Sequence, residues 1–140
     1  MQATPILSFV TRPTIVLIAV IQIALGAIFI VSPGSFPALL GLPAAPAWTD
    51  WLFAMLGARA LGFAFRMLVA LRDLQRHVSW LMAMVVVQAI DWIGTILAVH
   101  AGTVTLAQVS TASFLPILFI VVLGAEVLRL RAPAATGQPQ

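Results

Sequence analysis

No cysteine occurs among the 140 residues. Its absence excludes disulfide exchange, thiolate nucleophiles and thiolate-ligated metals, and with them the cysteine-dependent four-helix membrane oxidoreductases that link thiols to quinones. Lysine and asparagine are absent too, and charged residues of every kind make up only 8% of the chain. Positive charge comes from seven arginines, set against four acids. They form no dense patch, so the sequence pI of about 11.6 is no nucleic-acid footprint, and no nucleic-acid partner is expected. The two histidines, His77 and His100, flank one apolar stretch at its opposite ends and cannot share a metal. Without a His pair at ligand spacing, neither a metal site nor a haem is expected, and no cofactor is assigned. There is no Gly-rich phosphate loop, no GxSxG and no Ser-His-Asp set.

What is abundant is apolar: 62% of the residues are hydrophobic and the mean hydropathy is +1.12. A soluble domain of this size has no use for so much apolar surface. Four stretches, about 13–31, 51–71, 78–99 and 104–128, are long enough to cross about 30 Å of hydrocarbon as helices. The pattern predicts an all-α, four-helix transmembrane bundle forming one domain over 1–131, followed by a disordered, Pro-containing tail over 132–140. Thr11 and Pro13 read as the N-cap and first turn of the first span. Ser32-Pro33-Gly34 ends it, and the prolines at 37, 43 and 46 leave no room for a long helix before the second. Ala58/Gly62 and Gly94/Ala98 are small-residue pairs suited to close helix packing.

Arginines set the orientation. Arg12, the Arg72/Arg76 loop and Arg129/Arg131 fall on one side of a four-span chain, whereas Asp50 and His100 fall on the other. The positive-inside rule then places both termini in the cytoplasm and the protein in the inner (plasma) membrane as a multi-pass chain. Its first partner is the lipid bilayer.

Arg59, Arg66 and Asp91 lie within spans, where an ionised group costs about 2.5–3.5 kcal/mol by insertion scales and usually has a reason. Arg59 is eight residues into the second span and Asp91 eight residues before the end of the third, so each lies ~12 Å deep. Equal depth on adjacent antiparallel helices predicts an Arg59–Asp91 ion pair. Met55, Arg59, Gly62 and Arg66 share one helical stripe, and Met84, Gln88, Asp91 and Thr95 share another. Polar stripes should face the bundle interior, since lipid cannot satisfy them. With Gln22 from the first span they outline a polar pocket. Arg66 lies ~10 Å further along, either lining the pocket or reaching toward the headgroups, with Glu126 as a candidate partner.

Two segments, GARALGFAFRMLVALRD (57–73) and VQAIDW (87–92), together with TVTLAQVSTASFLP (103–116), resemble the DoxX-like group of small bacterial membrane proteins. The resemblance implies the four-helix fold more than any activity. The four-helix glutathione-transferase-like membrane enzymes are similar in size, but they combine an interior Arg with Asn, and this chain has no Asn. Three functions fit the residues. In the first, Arg59, Asp91, Gln88, Gln22 and Arg66 bind an amphipathic lipid- or quinone-like small molecule for a membrane pathway, in an accessory or transport role. In the second, Asp91 is the catalytic acid or base of a membrane isomerase or cyclase acting on an apolar substrate. In the third, the chain is a structural subunit, joined to a membrane-protein partner or to further copies of itself.

Overall fold

The computed structural model describes residues 5–132 and is helical throughout its regular structure. The elements are α1 (Pro5–Val31), a short α2 (Ser35–Leu39), α3 (Thr49–Ala70), α4 (Val78–His100) and α5 (Ser110–Arg131). The four long helices are each long and apolar enough to cross a membrane, as the four hydrophobic stretches require. Of the segment 132–140, expected to be disordered, all but Ala132 lies outside the described residues.

Two helix boundaries differ from the sequence expectation. Helix α1 begins at Pro5, so Pro13 lies inside it and Thr11 is no cap. Near Pro13 the Thr14 hydroxyl donates to the carbonyl of Val10 (2.9 Å). Helix α5 starts at Ser110 rather than near 104, and ahead of it Thr105 and Gln108 close a separate turn on each other. The Thr105 amide donates to Gln108 Oε1 (2.8 Å) and the Gln108 amide to Thr105 Oγ1 (3.4 Å), the reciprocal pattern of a capping box. Helix α4 ends as expected near Gly102, whose φ of +72° suits a residue without Cβ.

The packing is pairwise. Helix α1 lies against α3 and α4 against α5; α1 and α5 join the two pairs, while α3 and α4 scarcely touch. The α1–α3 crossing is close because glycines face each other. A Cβ on Gly57 would lie 3.0 Å from the carbonyl oxygen of Gly26 and 2.8 Å from Ile30 Cγ1. One on Gly26 would lie 2.7 Å from Leu61 Cγ. The small residues singled out within single helices do not serve this purpose, since a Cβ on Gly62 or Gly94 would meet nothing within 4 Å.

The tight core occupies the half of the bundle that ends in arginines, here the basic end. Ile15, Ile18, Met67, Leu81, Met84 and Leu123 are all but inaccessible there. Polar ties close the same end. Arg12 Nη1 donates to the carbonyl of Leu71 (3.2 Å) and Gln75 Nε2 to that of Leu130 (3.2 Å). Glu126 is wholly buried, accepts from Arg129 Nε at 2.9 Å and also pairs with Arg129 Nη2. The Thr11 hydroxyl donates to Glu126 Oε2, the oxygen that also accepts from Arg129 Nε, at 3.5 Å. At the opposite end α2 is held by aromatic contact: the Phe36 ring lies 4.7 Å from Phe29 and 6.0 Å from Phe53. Between this end and the core the bundle is hollow.

Candidate functional site

Two cavities occupy the hollow half. The first, of about 300 Å³, lies between α1, α4 and α5 under α2. Its walls are mostly apolar, from Ile18, Leu25, Leu115, Pro116 and Phe119, with Phe36 and Leu40 at the α2 end. Gln22, Gln88, Asp91, Thr95, Gln108 and Thr111 supply its polar atoms. The second, of about 370 Å³, lies between α1, α3 and α4, where α3 and α4 part, and is lined by Arg59, Phe29, Phe63 and Ile90 among others. Gln22, Leu25 and Asp91 border both. The two spaces are therefore neighbours across a waist formed by one amide, one leucine and one carboxylate.

Each polar group arrives there through helical periodicity. Gln88, Asp91 and Thr95 recur at intervals of three and four on α4, which brings them to one face. Gln88 is buried, whereas Asp91 is open to the cavities, and the Thr95 hydroxyl donates to the Asp91 carbonyl (2.8 Å). Gln22 is half-buried on the facing side of α1. Pro116 deprives the Ala112 carbonyl of its helical donor; beside it, Trp92 Nε1 donates to the carbonyl of Ser113 (2.9 Å) and pins α4 to α5 at cavity depth. Gln108 Nε2 donates to the carbonyl of Gly41 (3.2 Å) and ties the loop after α2 to the turn before α5. Gly41 has φ +64°, so the carbonyl is presented by a backbone geometry that favours glycine.

Four of the five residues expected to form a pocket, Gln22, Gln88, Asp91 and Arg59, line these cavities. Arg66 lines neither. It lies toward the basic end with its guanidinium 5.4 Å from the Trp80 ring centroid, within cation–π range. The expected Arg59–Asp91 ion pair is not formed. Among the described residues the ion pair is Glu126–Arg129, so Glu126 is a partner of Arg129 and not of Arg66. The physical reason lies in the splay of α3 from α4: equal depth does not bring two side chains together when their helices stand apart. Arg59 and Asp91 instead line the lateral cavity from α3 and α4, both of them exposed, and neither side chain has a hydrogen-bond partner among the described residues.

Sequence reasoning missed the parts played by Gly26, Gly57, Gln108 and α2. Gln108 had a usable signal, the Thr-x-x-Gln spacing of a capping box. The glycine pair had none within either helix.

Fold and site define the class: an all-helical protein with four helices long and apolar enough to span a membrane, enclosing a partly polar cleft. No family model, curated protein or solved structure matches the chain.

Proposed function

We propose that this protein binds an amphipathic molecule, lipid- or quinone-like, in the two-lobed cleft and serves a membrane pathway as an accessory or transport component. The observation that carries this reading is the meeting of the two cavities at Gln22 and Asp91. Both lobes are mostly apolar and share Gln22 and Asp91, and the second adds the Arg59 guanidinium, so an apolar tail and a polar head each find matching surface. The gap between α3 and α4 gives a ligand a lateral route from the bilayer. In this reading the basic end faces the cytoplasm of the plasma membrane, as the arginine distribution favours. The kinship proposed with DoxX-like proteins rests on the sequence segments 57–73, 87–92 and 103–116 alone.

Acid–base catalysis by Asp91 is the weaker reading. Asp91 is the one carboxylate on either cavity wall, and neither histidine lines them.

The test is mass spectrometry of organic extracts from the purified protein, compared with Arg59→Met/Asp91→Leu. A defined amphiphile enriched on the wild type and lost from the variant is expected. Identical, unselective lipid on both would sink the proposal and favour a structural subunit.

A further inference from the structure

We infer that the head of the bound amphiphile is zwitterionic, with its anionic end on Arg59 and its ammonium end on Asp91. This rests on the proposed function and adds the chemical class of the ligand. Two opposite charges line one lateral cavity at matched depth without pairing with each other. Both lie within helices long and apolar enough to span a membrane, where each needs an opposite charge because an unpaired ion is costly there. A purely anionic head satisfies Arg59 but faces Asp91 with like charge. A cationic head satisfies Asp91 and opposes Arg59. An uncharged hydroxyl offers each ion only a dipole. A zwitterion closes both ion pairs and leaves the occupied cleft neutral. Gln22 stands at the waist beside Asp91 and can accept a remaining ammonium hydrogen or donate to an ester carbonyl. The apolar chain then enters the first cavity, past Leu25 toward Phe119.

A phosphoethanolamine lipid carries this head, and its primary ammonium keeps three donors for a carboxylate. Phosphatidylglycerol is the matched anionic probe and diacylglycerol the matched neutral one. The full chain is reconstituted in nanodiscs containing equal amounts of the three and released for native mass spectrometry, which reads lipid class and copy number together. Retention of phosphatidylethanolamine over phosphatidylglycerol by about tenfold or more is expected, since juxtaposed like charges cost at least the corresponding free energy. Arg59→Met/Asp91→Leu should abolish that ranking. Preferential retention of phosphatidylglycerol or diacylglycerol would overturn the zwitterionic head while leaving a ligand site in place. No retained lipid of any class would overturn the ligand site as well. So would a dimer that the double variant converts to monomer without change in lipid, because the two charges would then pair between copies. The ranking of lipids on the wild-type chain needs no variant, so it stands even where the double substitution impairs folding.

Discussion

The α1–α3 crossing makes a sharp prediction, because two glycines that look equivalent in sequence differ in surroundings. Replacing Gly57 with Ala places a Cβ 2.8 Å from Ile30 Cγ1, 3.0 Å from the Gly26 carbonyl oxygen and 3.1 Å from Phe29 Cβ. Ile30 is exposed and can rotate away, but the Gly26 oxygen is backbone and moves only if the helices separate. Overpacking against backbone falls in the upper part of the usual range, about 2–3 kcal/mol, and a Gly→Ala change within a helix returns about 1 kcal/mol, so the net loss should be about 1–2 kcal/mol. At Gly62, five residues further along the same helix, the new methyl meets nothing, and only the helix term remains, a gain of up to about 1 kcal/mol. Reversible unfolding of each variant in mixed micelles, followed by circular dichroism, measures both. Gly57→Ala should unfold at lower denaturant and Gly62→Ala at equal or higher denaturant than the wild type. If the two variants shift together, or if Gly57→Ala is neutral, the close crossing is wrong, and with it the pairing of α1 with α3 that leaves the α3–α4 gap.

Two further outcomes follow from the basic end. Arg129→Met leaves the wholly buried Glu126 without its cation, which should cost about 3 kcal/mol, the low end for a broken buried pair because Arg129 is itself partly exposed; Glu126→Leu added to it should restore most of that loss in the same unfolding assay, and no recovery would mean that the loss does not come from an unpaired Glu126. A topology reporter fused after Gln140 should read cytoplasmic, and an external reading would reverse the assignment of the basic end.

Long apolar runs made the number and approximate limits of the spans legible, because a membrane sets their length independently of tertiary contacts. Helical periodicity likewise brought Gln88, Asp91 and Thr95 to one face, since neighbours on a helix are decided locally. What sequence could not supply was the lateral arrangement. Depth can be counted along a helix, but the distance between helices depends on the residues at their contacts. Gly26 lets α3 approach α1, and no comparable contact draws α3 to α4, so Arg59 and Asp91 share a level without meeting. Arg66 belongs to the same stripe as Arg59, yet nearly two turns along it stands beside Trp80. Glu126 was legible as a candidate partner for Arg66; that its partner instead sits three residues on, at Arg129, turns on side-chain geometry that spacing permits but does not select.

The contrast between the two acids bears on function. Glu126 is closed by an arginine on its own helix, a solution available to any helix at intervals of three or four. Asp91 has the same positions available, but Val87, Gln88, Gly94 and Thr95 occupy them, and none neutralises it. Arg59 has no acid within reach on α3 either: Met55, Leu56, Gly62 and Phe63 stand at those positions. If the chain required only that its intramembrane charges cancel, the arrangement at the basic end would serve at this level too. Instead the two charges line one cavity from separate helices, where their attraction is available to whatever enters between them. Desolvation makes such an arrangement costly for the empty protein. Under the proposed function, an occupant that supplied both counter-charges would remove that cost, and the free energy withheld from folding would become affinity and selectivity for the ligand.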